Sequence, residues 1–345
     1  MNSFPTSLPQ ARVTPLRGGP ALRWGILGPG DIASDFIKAI HTHTDQRVTA
    51  VASRSRDRAR AFAEHWGIER SYGTPDALVK DPGVDIVYVA TPHSEHMRLA
   101  LLAIAAGKHV LVEKPLGVTA DEARRIRDAA SEAGVFAAEG MWSRYLPQTD
   151  VILRLIDDGV LGELRLVVAD FATRAKVDLQ GRIYNPVLAG GSLLDLGIYP
   201  LWFSHLMLGR PERVSAFGTL TETGVDAQTA IVLEYGSGAQ AILATSLLFF
   251  SSERASVSGT EARIEVNPWF VVPAGFELIS PRRGEPTLPY IDGSGLAFRE
   301  GLAWEAAAIA GYIGEGRTDS ALHPLEMAVG VLETMDDIRR QMGTA

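Results

Sequence analysis

The stretch Leu22-Arg23-Trp24-Gly25-Ile26-Leu27-Gly28-Pro29-Gly30-Asp31-Ile32-Ala33 constrains this chain more than any other segment. A mostly apolar strand runs into a glycine turn, and the turn opens a helix from Asp31 to Ile40. The spacing G-x-G-x-x-A gives each position a physical task. The first glycine makes a tight turn, the second lets the backbone approach a pyrophosphate, and the helix amino terminus presents N–H groups and a partial positive charge. Glycine-rich turns are common on their own; the flanking strand and helix make this one a dinucleotide site. Strands Arg47 to Ala52, Val84 to Ala90 and His109 to Val112 then alternate with helices Ser55 to His65, Ser94 to Ala106 and Ala120 to Ala133. That alternation predicts βαβ units and a parallel sheet, and the near-continuous apolar run at Val84 to Ala90 predicts a strand buried on both faces.

The second half has a different rhythm. Helix Thr149 to Asp158 leads into strand Leu164 to Thr173, and Leu193 to Leu208 is helical. Strands Val214 to Thr221, Ala227 to Tyr235, Ala239 to Leu248, Ala255 to Gly259 and Arg263 to Asn267 follow with little helix between them. Helices Leu296 to Gly314 and Pro324 to Met342 close the chain. The expected architecture is an α/β Rossmann domain over residues 21–140. An α+β domain with an open, mainly antiparallel sheet follows over 141–345. Residues 1–20, with four prolines and no apolar core segment, are expected to be a disordered tail.

Composition removes several function classes. The 345 residues include no cysteine, so a disulfide framework, a thiolate metal site and a cysteine nucleophile are excluded. The net charge is −8 with no basic run, which argues against a nucleic-acid partner. No apolar run is long enough to suggest a membrane span. A cytoplasmic protein acting on a small molecule is the expectation.

Strand Arg47 to Ala52 ends in Ser53-Arg54. An NAD site usually carries Asp or Glu there for the ribose 2′-hydroxyl. Arginine pairs instead with a phosphate, which favours NADP over NAD. The alternative is that Arg54, Arg56, Arg58 and Arg60 form a solvated helix start. After Val84 to Ala90 come Thr91-Pro92-His93-Ser94-Glu95-His96. Thr91 is expected under the cofactor, Ser94 to cap the next helix, and His96 to pack and hydrogen-bond beneath the nicotinamide side. No carboxylate or cysteine set completes a metal site around His93 and His96, so no metal is expected. The expected cofactor-contacting residues are Gly28, Pro29, Gly30, Asp31, Ile32, Ser53, Arg54, Thr91, Pro92, His93, His96, Glu113 and Lys114.

Glu113-Lys114-Pro115 follows the strand His109 to Val112. A lysine at a strand's carboxyl end lies where open α/β sheets bind ligands, and the proline restricts the backbone that aims it. The second constellation is Gly190-Gly191-Ser192-Leu193-Leu194-Asp195-Leu196-Gly197-Ile198-Tyr199. In a helix, Asp195 and Tyr199 stand at i and i+4 on one face. A neighbouring ammonium stabilises a phenolate, so Lys114 would make Tyr199 a general base for an alcohol and a general acid in reverse. His205 is the alternative proton shuttle. Spacing alone equally allows a core helix with a satisfied tyrosine.

Taken together, Gly28-x-Gly30, Glu113-Lys114-Pro115 and Gly190-Gly191-x-Leu193-x-Asp195 resemble the glucose–fructose oxidoreductase and inositol dehydrogenase family (Gfo/Idh/MocA). The resemblance spans almost all of the chain after residue 21. The usual pattern has histidine four residues after the aspartate; Tyr199 here is similar to one branch, the dimeric dihydrodiol dehydrogenases, also called NADP-dependent D-xylose 1-dehydrogenases. Trp142-Ser143-Arg144-Tyr145-Leu146-Pro147, Glu222-Thr223-Gly224-Val225-Asp226, and Val257-Ser258-Gly259-Thr260 followed by Asn267-Pro268 are further echoes. The resemblance implies that Lys114, Asp195 and Tyr199 are the catalytic set and that Trp142, Phe171 and Trp269 line the substrate pocket, unless they are ordinary core aromatics. It also implies a homodimer. The expected activity is NADP-dependent hydride transfer with a cyclic secondary alcohol, favouring a pyranose sugar. A trans-dihydrodiol of an aromatic ring stands second. A non-catalytic NADP sensor stands third, and such a sensor would not require Lys114 with an acid and a phenol.

Overall fold

The computed structural model describes residues 4–282, 284 and 286–344. It divides into two compact units. The first comprises residues 13–145 and 298–329. The second comprises, among the described residues, 4–12, 146–297 and 330–344.

The first unit is built on β1 (Arg23–Leu27), β2 (Arg47–Ala52), β3 (Arg70–Tyr72), β4 (Ile86–Val89), β5 (His109–Glu113) and β6 (Ala137–Gly140). All pair in parallel, in the order β3-β2-β1-β4-β5-β6. The order reverses between β1 and β4, and in sheets of this kind ligands bind outside the strand ends at such a switch. Helices α1 (Asp31–His43), α2 (Arg56–Trp66), α3 (Pro75–Val79), α4 (His96–Ala105) and α5 (Ala120–Ala133) make the connections. All four residues of β4 are buried, as its unbroken apolar sequence requires. Helix α5 begins where the Thr119 hydroxyl accepts the Glu122 N–H and ends at Gly134 in the left-handed region.

The second unit contains α6 (Pro147–Asp157), β7 (Leu164–Ala172), α7 (Ile198–Leu208) and strands β8 (Arg213–Leu220), β9 (Asp226–Glu234), β10 (Gln240–Ser246), β11 (Ala255–Gly259), β12 (Arg263–Val266), β13 (Gly275–Ile279) and β14 (Leu288–Ile291). The sheet order is β14-β13-β12-β11-β7-β10-β9-β8. Only the β7–β10 pair is parallel. Inward residues Val167, Ala169, Ile231, Leu233, Ala241 and Leu243 are buried, and α7 lies along β7, β10 and β11. The outward residues of the same strands are also apolar. Register sets Val232, Ile242 and Val168 side by side on β9, β10 and β7, and pairs Phe217 of β8 with Ala230. Val232, Ile242, Val168 and Phe217 are all exposed.

The chain's last helices, α8 (Leu302–Gly314) and α9 (Leu325–Met342), depart from the linear division at residue 140. Residues 298–329, with α8, belong to the first unit, and the division between units falls within α9. Ala137 N donates to Thr318 O, so residues 318–319 extend the edge of the parallel sheet beside β6. Local patterning carries no record of so distant a partner.

Other expectations also change. Residues 4–20 form no helix or strand, yet they are not loose. Arg12 N donates to Asp150 at 2.7 Å, Arg17 reaches Thr42 O at 2.6 Å, and Gly18 N donates to Asp45 at 2.7 Å. Charged side chains supply the partners that a proline-rich backbone lacks. Residues 1–3 lie outside the described residues. Ser94 does not cap α4; residues His93–Glu95 form a 3₁₀ turn and the helix starts at His96. The helical stretch Pro186–Leu208 is long and apolar enough to cross a membrane, against the sequence expectation, but most of it is buried within the protein.

Candidate active site

The glycine turn of the first unit is shaped for close backbone approach. Gly28 has φ +99, and a Cβ there would fall 2.5 Å from Ala90 O, so only glycine fits. A Cβ on Gly30 would meet nothing within 4 Å, which leaves open space over the turn. Gly30 is the N-cap of α1, and no side chain caps the helix. The first N–H groups of α1, beginning with Asp31 and Ile32, are thus turned towards that space with no side-chain competitor. Thr91 Oγ1 is buried without a hydrogen-bond partner in the protein. An open helix terminus, a glycine cradle and an orphaned hydroxyl together suit a dinucleotide.

Beyond β2, Ser53 Oγ accepts from Ser55 N and Ser55 Oγ from Arg58 N, capping α2. Arg58 donates to Pro29 O at 3.0 Å and so ties this helix to the glycine turn. Arg54 is exposed and, among the described residues, forms no ion pair.

Lys114 sits at the end of β5, half-buried, where the peptide to Pro115 is cis. The turn is held from both sides. Leu116 N donates to Glu139 Oε1 at 2.7 Å, and the other Glu139 oxygen meets His323 Nε2 at 2.7 Å. Pro115 O is 2.7 Å from His96 Nδ1, while His96 Nε2 is 2.9 Å from Thr91 O. His96 is buried and hydrogen-bonds, and its contacts join the ends of β4 and β5. Its neighbour His93 is buried and sets its ring edge-on at 5.6 Å. Glu113 points inwards to the hydroxyl of Tyr88. Burial raises the Glu113 carboxyl above its ordinary value, against the pull of Tyr88 and Lys114. Glu305 of α8, also buried, is raised further by burial and by the charges of Glu113 and Glu139.

In the second unit the Asp195 segment is a single π-helical turn, Leu193–Gly197, that runs into α7. Such turns are uncommon and recur at functional sites. The chain enters it under tight steric control. A Cβ on Gly190 would lie 2.3 Å from Ile183 O, and one on Gly191, at φ +115, 2.2 Å from Asp226 Oδ1. The Asp226 carboxylate accepts from Ser192 Oγ and Leu193 N, each at 2.6 Å. Asp195 is gripped by both terminal nitrogens of Arg182, at 3.1 and 3.2 Å, a planar fork-to-carboxylate arrangement. Tyr199 is mostly buried and stacks on Phe171 with centroids 5.2 Å apart. His205 lies in the core with Nε2 at 2.9 Å from Thr334 Oγ1, and burial, helped by Arg210, lowers it to about 4.

The structure thus groups Gly28, Pro29, Gly30, Asp31, Ile32, Ser53, Arg54, Thr91, Pro92, His93, His96, Glu113 and Lys114 in the first unit, with a buried Trp142. Asp195, Tyr199, Phe171 and Trp269 belong to the second. Trp269 is 47% exposed at φ +62, so it is not a core aromatic. No cluster of metal-ligating side chains occurs among the described residues. Sequence reasoning missed Arg182, Glu139 and His323, and marked Asp226 only as part of a family echo, with no role. A lone arginine eight residues before Gly190 was the only local sign of the first; the others reach the site through the fold.

Residues 22–141 match the oxidoreductase family with an NAD-binding Rossmann fold, and residues 151–265 match the GFO/IDH/MocA C-terminal domain. The trans-1,2-dihydrobenzene-1,2-diol dehydrogenase of Mus musculus is 34% identical over 329 residues, covering 94% of this chain and 97% of the relative. That of Homo sapiens is 32% identical over 334 residues with the same coverage. An aldose-aldose oxidoreductase from Caulobacter crescentus, solved with glycerol, superposes with TM-score 0.82 at 27% identity, covering 93% of this chain and 97% of its own. A 3-ketoreductase from Actinomadura kijaniata, solved with NADP and TDP-benzene, gives 0.80 at 27% identity, covering 93% and 98%. The chain belongs to the Gfo/Idh/MocA family. It is an enzyme of the dehydrogenase class that acts on CH–OH groups with a nicotinamide cofactor.

The two glycines of the turn separate folding from binding. Gly28→Ala should lower the melting temperature, because its methyl collides with Ala90 O. Gly30→Ala should melt like the wild type yet weaken NADPH binding by about tenfold or more, about 1.4 kcal/mol. Differential scanning fluorimetry and a fluorescence titration measure the two effects; unchanged affinity in Gly30→Ala would place the pyrophosphate elsewhere.

Proposed function

We propose that this enzyme is an NADP-dependent dehydrogenase of a cyclic secondary alcohol, a pyranose or related carbohydrate. One observation carries the reading. Asp195 and Tyr199 stand on one helical segment, with its start held by Asp226, its carboxylate oriented by Arg182 and its phenol stacked on Phe171. A sensor protein has no use for an acid and a phenol held in this way. A bound nicotinamide would supply the hydride acceptor for the carbinol carbon; the protein supplies position and field. In oxidation Tyr199 takes the hydroxyl proton and Asp195 hydrogen-bonds and orients the substrate; for Lys114 the family motif implies the role of electrostatic partner. In the second unit Phe171 and Trp269 offer aromatic faces to the ring.

Preference for NADP is supported by an exposed Arg54 with no acidic partner among the described residues, beyond a strand end that carries no Asp or Glu. The names of the curated relatives favour a second substrate class, the trans-dihydrodiols of aromatic rings. The solved sugar oxidoreductase favours the first.

The outward row of Phe217, Val232, Ile242 and Val168 supports a homodimer. An apolar sheet face of this kind is costly in water, and a second copy related by a two-fold axis would cover it.

NADPH formation should appear with aldopyranoses and exceed that with trans-dihydrodiols in a spectrophotometric panel; the reverse order would assign the second substrate class, and no turnover on any alcohol would leave a sensor. Tyr199→Phe should reduce kcat by roughly 10²–10⁴ while leaving NADPH affinity nearly intact. Arg54→Ala should raise KM for NADP by about tenfold or more, in line with a lost charge-assisted bond of about 1.5–3 kcal/mol, with little change for NAD; equal shifts would remove Arg54 as the discriminator. Light scattering at micromolar concentration should give twice the chain mass, and a monomer would refute the shared sheet face.

A further inference from the structure

His96 is the first residue of α4 and is completely buried. Each ring nitrogen faces a backbone carbonyl oxygen: Nδ1 faces Pro115 O at 2.7 Å and Nε2 faces Thr91 O at 2.9 Å. Carbonyl oxygens only accept, and a neutral imidazole carries a single N–H. A neutral ring can therefore satisfy one of these contacts, and at the other it turns a lone pair towards an oxygen. Both bonds form only when the ring holds two protons. The two carbonyls belong to the turns at the ends of β4 and β5, and the second turn carries Lys114.

We infer that His96 is a positioning residue for Lys114, tying the Thr91 and Pro115 turns together through two donated hydrogen bonds, the second of which exists only in the imidazolium. The inference rests on the dehydrogenase reading for its kinetic consequences alone. The groups acting on the ring are few. Burial lowers its affinity for the second proton, and Lys114 at the end of β5 adds to this, while the two carbonyls and Glu139 of β6 work the other way. His93, in the turn before α4, meets it edge-on. The net direction is down from the ordinary histidine value, so the second bond is the one lost as pH rises. Loss of that bond frees one of the two strand-end turns, whereas Leu116 N stays fixed by Glu139.

Two measurements test this. In the intact protein labelled with ¹⁵N-histidine, with His96 assigned through its own backbone, the ring should carry two N–H protons at the acid end of the stable range. It should lose one as pH rises, with coupled shifts at the amides of the turn that is released, Lys114 and Leu116 or His93 and Ser94. A ring that stays singly protonated throughout, or that titrates without moving those amides, overturns the inference whatever the enzyme's substrate. Kinetically, His96→Gln, which keeps one donor, should lower kcat by roughly ten- to hundredfold while KM and NADPH affinity change little, as expected for a misplaced catalytic group. The ionisation assigned to His96 by NMR should vanish from its kcat–pH profile. An unchanged kcat and profile would reduce His96 to packing. Should His96→Gln fold poorly, His96→Asn offers a second substitution, and the wild-type titration stands without either.

Discussion

The bond from the Leu193 amide to the Asp226 carboxylate determines where the Asp195–Tyr199 segment begins. A helix start normally leaves its first N–H groups to water or to a local cap. Here the cap comes from 33 residues further along the chain, from the buried carboxyl of the first residue of β9. Burial pushes the Asp226 carboxyl up, and the Ser192 hydroxyl and backbone donors pull it back. Glycine at 191 is demanded by the same contact, since a side chain there would occupy the place of the carboxylate oxygen, while Gly190 is held by its approach to Ile183 O. The first unit uses a related device, with Glu139 on the Leu116 amide and His323 behind it. In each unit a buried acid fixes the backbone a few residues from a catalytic candidate.

The cofactor end of the first unit is organised by smaller forces. Ser53, Ser55 and Arg58 form a relay of ordinary hydrogen bonds from the end of β2 to the carbonyl of Pro29. None is strong, since the residues are largely exposed, but together they couple the spacing between the strand end and the glycine turn. That leaves Arg54, the neighbour with no such duty, available to a charged ligand.

Much of this was legible in the sequence where the signal is local. Strand β2, helix α5 and strand β11 fall on the residues that patterning assigns, because alternation, a Thr119 cap and a terminal Gly134 are all near-neighbour effects. The short β3 and α3 were invisible, at three and five residues too brief for a period to register. Strands β13 and β14 hide behind an irregular Pro- and Gly-rich stretch. For the site, Gly28, Gly30, Lys114, Asp195 and Tyr199 could be picked out because turn and helix spacing bring them close to recognisable neighbours. Arg182 could not, since its bond to Asp195 depends on the path of a loop with no period at all. Glu139 reads as an isolated charge in an apolar strand, and only its distant partner His323 explains why it is tolerated there.

The composition of the first unit has a consequence for how the chain comes to be folded. Its parallel sheet is complete at Gly140, yet His323, the Thr318–Asp319 edge and helix α8 are encoded nearly at the other end. A nascent chain leaving the ribosome therefore exposes, for as long as it takes to synthesise more than 150 further residues, a nucleotide fold lacking one flank and a buried glutamate lacking its partner. The second unit likewise draws on both the earliest and the latest residues. The nucleotide fold is complete only at residue 329, so a translation stall or carboxy-terminal truncation that reaches back past that point removes part of it, far from its sheet in sequence.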